Sequence, residues 1–125
     1  MAMKSILVVD DMPHILSMIR YMLRTEYQVF PFTCGEAAME FLERDDTVKI
    51  DLALLDVDMP VISGLEVLRT LKSHPLLRDI PVIMVTGNAD QEIVLTALKA
   101  GVLDYIVKPF TEDTLKKKIR AVLSK

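Results

Sequence analysis

Asp51-Leu52-Ala53-Leu54-Leu55-Asp56-Val57-Asp58-Met59-Pro60 is the stretch that decides the fold. Its apolar run, Leu52-Ala53-Leu54-Leu55, is short, unbroken and bounded by polar residues, which reads as a parallel strand covered on both faces. Asp56 stands where the run stops, the position at which open α/β sheets place their chemistry. Asp58 adds a second carboxylate, and Pro60 blocks further strand or helix. Taken alone the segment allows two readings: Asp56 is presented for chemistry, or it simply ends a strand and starts a turn, as Asp often does.

The same pattern recurs on both sides of this stretch. Ile6-Leu7-Val8-Val9 is a second buried run, closed by Asp10-Asp11. Pro13 suits the first turn of a helix, with Asp11 or Met12 as its cap, and Ile15, Met18, Ile19, Met22 and Leu23 recur at helical spacing through Arg24. Residues 28–32 read as a strand, but Pro31 cannot donate to a ladder, which places that strand at a sheet edge. Gly35 opens a helix with Ala37, Ala38, Phe41 and Leu42 inward, and Arg44-Asp45-Asp46 is a polar link. Ser63-Gly64-Leu65-Glu66 has the form of a capping box, leading a helix that buries Leu65, Leu68 and Leu71 and ends before Pro75.

Residues 80–85 form the fourth apolar run, terminated by Thr86-Gly87-Asn88. A helix over residues 90–100 turns Ile93, Val94, Ala97 and Leu98 inward and Gln91, Glu92, Leu95 and Lys99 outward. Gly101 sits where a left-handed helix terminus wants glycine. Residues 104–107 are the fifth strand, ended by Lys108-Pro109. Thr111, with Glu112 and Asp113 behind it, caps a last helix containing Leu115, Ile119, Val122 and Leu123. Five strands alternating with five helices predict an α/β fold: a doubly wound five-stranded parallel sheet, order 2-1-3-4-5, flavodoxin-like, with helices on both faces.

The bulk numbers narrow the function. With 125 residues, 51% of them hydrophobic and 26% charged, residues 1–125 read as one globular domain. A net charge of −3 and a pI near 5.3 give no overall attraction to nucleic acid, so no direct nucleic-acid binding is expected. The basic run Lys116-Lys117-Lys118, with Arg120, reads as the solvated face of the last helix. Lone Cys34 forms no internal disulfide, and no Cys/His metal spacing exists. The first apolar run is too short for a signal peptide or a membrane span, so the expectation is a cytoplasmic protein away from the membrane. The eight methionines read as core filler, and His14 and His74 as solvated positions.

What ends the strands is the informative set. Strand one delivers Asp10 and Asp11, strand three Asp56, strand four Thr86 and strand five Lys108. In a parallel sheet all these ends lie on one edge. Singly each has a bland reading: a helix cap, a turn former, a strand residue, a surface charge. Together, three carboxylates repel and require cations. Lys108 is one, and a hard divalent ion such as Mg²⁺ is the natural second. An ionised Asp56 beside these cations is a nucleophile able to form an aspartyl phosphate, with Thr86 offering a hydroxyl donor to a phosphoryl oxygen.

On these residues the chain resembles a response-regulator receiver domain from end to end. The matching pieces are Val8-Val9-Asp10-Asp11, Leu54-Leu55-Asp56-Val57-Asp58-Met59-Pro60 with Gly64, Val85-Thr86-Gly87, and Asp104-Tyr105-Ile106-Val107-Lys108-Pro109-Phe110. The resemblance implies that Asp10, Asp11, Asp56 and the main-chain carbonyl of Asp58 hold Mg²⁺, with Mn²⁺ as a substitute. It implies that Asp56 accepts a phosphoryl group from a histidine kinase or phosphotransfer protein, that Lys108 contacts that group, and that Lys108–Pro109 is cis. It further implies that Thr86 moves toward the phosphoryl group and Tyr105 rotates inward. The surface of the fourth helix, fifth strand and fifth helix then controls a downstream target protein, an output domain absent from this chain, or a homodimer. Such a chain is a regulatory domain that assists only its own phosphorylation and dephosphorylation.

Two departures stand out: Ala100-Gly101-Val102-Leu103 where members often read Ala-Gly-Ala, and Phe30-Pro31-Phe32 in the second strand. Two rival readings come from other classes. Asp56-Val57-Asp58 resembles the nucleophile motif of haloacid-dehalogenase-type phosphatases, but there the motif normally ends the first strand, and no cap domain fits in this chain. A receiver-like module that binds protein without phosphorylation is disfavoured by the intact chemical positions. The side chains of Asp58 and Asn88 fall where they set the lifetime of the phosphoaspartate. Substitution at both positions is therefore expected to change the decay rate of the phosphorylated protein; identical decay curves would refute the assignment.

Overall fold

Each apolar run becomes a strand, and the strands pair side by side. In the computed structural model, which describes residues 3–44, 49–57, 64–87 and 90–124, the strands are β1 (Lys4–Val9), β2 (Tyr27–Phe32), β3 (Leu52–Asp56), β4 (Val82–Thr86) and β5 (Asp104–Val107). They form one sheet in the order β2-β1-β3-β4-β5, with every neighbouring pair parallel. The helices are α1 (Pro13–Leu23), α2 (Gly35–Glu43), α3 (Gly64–Ser73), α4 (Gln91–Ala100) and α5 (Glu112–Leu123). Fold class, strand order and helix number follow the sequence reading.

Side-chain alternation along the strands sorts the core into two layers. Leu7, Val9, Ala53, Leu55, Val82 and Met84 pack with Ala38 of α2, Val67, Leu68 and Leu71 of α3, and Ala97 of α4. Ile6, Val8, Leu52, Leu54, Ile83, Val85 and Ile106 pack with Leu16, Ile19 and Leu23 of α1 and Leu115, Ile119 and Val122 of α5. Both faces of β1, β3 and β4 are thus covered, which is why their sequences are apolar without alternation. Fully burying one such leucine stabilises the fold by about 1.5–3 kcal/mol.

The two edge strands are less buried. Pro31 sits on β2, which among the described residues pairs with β1 alone, so its missing N–H falls on a sheet edge. Phe30 and Phe32 flank it and both pack on Phe41 of α2, with ring centroids 5.5 and 5.1 Å apart. Phe-Pro-Phe is therefore the local fit of an edge strand to one aromatic on the covering helix.

Several local expectations change. β4 begins at Val82 rather than residue 80, because the Ile80 amide is spent on a turn to the Leu77 carbonyl and Pro81 follows it. Leu98 is 44% exposed rather than inward. Only the small Ala97 of α4 is fully buried, and among the described residues no strand lies beyond the short edge strand β5. Of the two cap positions that the sequence allows for α1, Met12 is the one occupied. Gly101 closes α4 at φ 110°, and Thr111 caps α5 by accepting from the Thr114 amide at 3.1 Å. Ser63 of the expected capping box lies outside the described residues. Among the described residues no helix is long and apolar enough to cross a membrane.

The basic run on α5 is not simply solvated. Lys116 is 14% exposed and sits 2.9 Å from Glu112 and 3.3 Å from Glu26, while Arg120 pairs with Glu26 at 2.8 Å. The Arg120 hydrogen bond, aided by Lys116 and opposed by partial desolvation, holds the Glu26 carboxyl below its ordinary value. A lowered carboxylate pKa stabilises the fold above the unfolded value, and the contribution is lost as pH falls through the folded one. The stability difference between wild type and Glu26→Gln should therefore be constant above about pH 5 and shrink below about pH 4.3. Urea unfolding across that interval measures it; a difference independent of pH would show that this network contributes nothing through Glu26 ionisation.

Candidate functional site

Strand register brings the site residues level. Val9 pairs with Leu55, so Asp10 comes level with Asp56; Asp56 pairs with Val85, one residue before Thr86; Thr86 pairs with Val107, one residue before Lys108. Alternation then divides them by face. Asp10, Asp56 and Lys108 continue the rows of Val8, Leu54 and Ile106 on the side of α1 and α5. Thr86 continues the row of Met84, and Tyr105, half-buried, packs against the same layer as α4. The charged groups and the expected switch pair thus lie on opposite sides of one sheet edge.

The acids are deeply placed: Asp10 is 1% exposed, Asp56 2% and Thr86 0%. Asp10 is anchored through its backbone, whose N–H donates to the Phe32 carbonyl at 3.1 Å. Its Oδ1 accepts from the Met12 amide at 3.0 Å, which fixes the turn that leads into α1. Its Oδ2 is buried and lies 2.9 Å from Lys108 Nζ, a charge contact without the alignment of a hydrogen bond. The same ammonium lies 3.3 Å from Asp56 Oδ2. Burial works to lower the Lys108 pKa, but the close contact with Asp10 and the charges of Asp56 and Asp10 outweigh it, and the net direction is upward. Lys108 is therefore a cation at any ordinary pH.

Asp11 lies nearer solvent, and one oxygen from each of Asp10, Asp11 and Asp56 falls within 4.8 Å of the others. One lysine does not balance three carboxylates, and the Asp10 oxygen without an aligned donor has capacity left. Hard oxygens at this spacing fit a small divalent cation and offer nothing to a soft one. Gly64, first residue of α3, closes the site from below. A Cβ there would run into the main-chain carbonyl oxygen of Asp56, with Val57 Cα at 3.0 Å. The Lys108–Pro109 peptide is cis. Asp58 and Asn88 lie outside the described residues, and His14 is exposed.

Three features escaped the sequence. The close approach of Gly64 to Asp56 joins a helix start to a strand end and leaves no local signal. Asp104 and Lys118, read as a strand start and a solvated charge, are paired at 3.1 Å. Leu98, Leu103 and Val107, on α4, β5 and the turn between them, join the Leu95 that the sequence places outward; all four are 39–55% exposed and leave apolar surface open there.

A doubly wound sheet that gathers three acids and a lysine at its carboxyl edge defines a class built to handle a phosphoryl group or a hard cation. The response regulator receiver domain family model matches residues 6–120, and the chain belongs to that family. It is 38% identical over 120 residues to a chemotaxis protein CheY homolog of Campylobacter jejuni, covering 94% of this chain and 91% of that one. Vibrio cholerae chemotaxis protein CheY4 superposes with a TM-score of 0.90 at 28% identity, over 98% of this chain and all of that one. The receiver domain of a sensor histidine kinase from Pseudomonas aeruginosa, whose structure has a magnesium ion coordinated in its active-site cleft, gives 0.88 at 31% identity, over 99% and 100%. The chain is thus a phosphorylation-dependent signalling switch, a regulatory domain of the two-component type.

Gly64→Ala tests the close approach beneath Asp56. The atoms in its way are main chain and give only by moving β3 or α3, so a loss of about 1–3 kcal/mol in urea unfolding is expected. A slower reaction at Asp56 should accompany it. Wild-type stability and rate together would mean that the contact is not required.

Proposed function

We propose that Asp56 is the phosphoacceptor, receiving its group from a phosphohistidine on a histidine kinase or phosphotransfer protein. The observation that carries this is one buried carboxylate held 3.3 Å from a lysine that also engages Asp10, within a three-acid cluster. An Asp56 oxygen attacks phosphorus, the P–N bond breaks, and the imidazole nitrogen leaves with the electron pair. Lys108, already charged and beside Asp56, pairs with an oxygen of the incoming phosphoryl group and offsets its charge. Thr86 donates its hydroxyl to another of those oxygens. Asp10, Asp11, Asp56 and the main-chain carbonyl of Asp58 would hold Mg²⁺, or Mn²⁺ in its place. When bound, that ion neutralises charge on the transferring phosphoryl oxygens.

Thr86 and Tyr105 share the α4 side of the sheet, which supports a readout there. Displacement of Thr86 toward the phosphoryl group leaves space that the Tyr105 ring enters, and the exposed apolar surface of α4 and β5 changes what it binds. The occupants of that surface, with α5, are a downstream target protein, an output domain, or a second copy of this chain. A local charge event biasing a two-state element is the physical content of this switch.

Incubation with a small phosphodonor and Mg²⁺, followed by intact mass, should show one added phosphoryl group. None should appear with chelator or in Asp56→Asn. Repeated turnover of a phosphomonoester would instead support a phosphatase, and a folded but unlabelled protein would leave a binding module.

A further inference from the structure

β5 is an edge strand, and a free edge exposes main-chain groups that invite another strand. The main chain of Tyr105, in the middle of β5, is occupied. Its N–H donates to Asp104 Oδ1 at 2.7 Å, and its carbonyl accepts from Lys118 Nζ at 2.6 Å. The same ammonium lies 3.1 Å from Asp104 Oδ1 and 5.0 Å from the centroid of the Tyr105 ring. An ammonium at that range is attracted to an aromatic face, and hydrogen bonds from charged donors are the stronger ones. Lys118 belongs to α5, on the opposite face of the sheet from α4. One side chain thus reaches round the sheet edge and engages the main chain, the ring and the neighbouring carboxylate of one tyrosine.

We propose that Lys118, paired with Asp104, is a positioning residue that latches Tyr105 in its resting ring position. The latch makes ring movement depend on releasing Lys118 and couples α5 to the α4 side of the sheet. It also closes the β5 edge to strand addition at Tyr105. The inference rests on Tyr105 as the switch residue of the proposed function, and it assigns to α5 a hold on that residue separate from the chemistry at Asp56.

The test uses unphosphorylated chain with ring-labelled tyrosine, the three tyrosines assigned by Tyr21→Phe and Tyr27→Phe. Lys118→Met removes the charge and keeps the stem. The Tyr105 ring signals should then move, while Tm and the Tyr21 and Tyr27 signals stay at wild-type values. Lys118→Arg, which retains charge and donors, should hold Tyr105 near its wild-type position. Asp104→Ala should speed Tyr105 amide exchange about ten-fold, the loss of one hydrogen bond to a charged acceptor. Tyr105 ring signals unmoved in Lys118→Met, or moved equally in Lys118→Arg, overturn the latch. These spectra need no phosphodonor, so a failed mass shift at Asp56 would overturn the phosphoacceptor assignment and leave the latch standing.

Discussion

Two buried carboxylates on neighbouring strands, with one lysine between them, set the terms for the rest of the molecule. Asp10 and Asp56 are each almost fully buried, and Lys108 touches both. Buried carboxylate charge is costly unless cations face it. The fold meets this by anchoring each member through backbone: Asp10 to the β2 end, Asp56 against Gly64, and Lys108 through its amide to Thr86 at 2.8 Å. What remains is a surplus of negative charge held in place. Three carboxylate oxygens within 4.8 Å of one another are a donor set that fits a hard cation.

The sheet puts the charged cluster and the Thr86–Tyr105 pair on opposite faces. Because successive residues of a strand face opposite ways, the acids and Lys108 share the α1 and α5 side while Thr86 and Tyr105 share the α4 side. Strand register joins the two sides: Asp56 lies opposite Val85, the residue before Thr86, and Thr86 lies opposite Val107, the residue before Lys108. Lys118 crosses from α5 round the edge to Tyr105. The edge strand β5 is thus tied to α5 through Tyr105, whose ring packs on the layer that α4 covers.

Sequence reading succeeded where a local rule governs. The unbroken runs in β1, β3 and β4 report burial on both faces, Pro31 reports an edge, and Gly101 and Thr111 report helix ends. It went astray where distant neighbours decide. Leu98 lies on the inward arc of α4 by period, yet among the described residues no strand lies beyond β5 to cover it. Lys116 looks solvated by pattern, yet it meets Glu26 across α5 and the start of β2. Arg120 reaches the same glutamate from a position 94 residues away in the chain.

The amino-acid sequence by itself determined the element order, the parallel sheet and the identity of the acids, hydroxyl and lysine at the strand ends. Each of these follows from the spacing of apolar residues and from what stops each run. Tertiary structure alone decided which groups touch: Lys108 between Asp10 and Asp56, Gly64 under the Asp56 carbonyl, Lys118 on Tyr105. Periodicity reports which side of an element is buried, whereas strand register and helix packing set which side chains meet there. Those are long-range choices settled only when the layers close on one another.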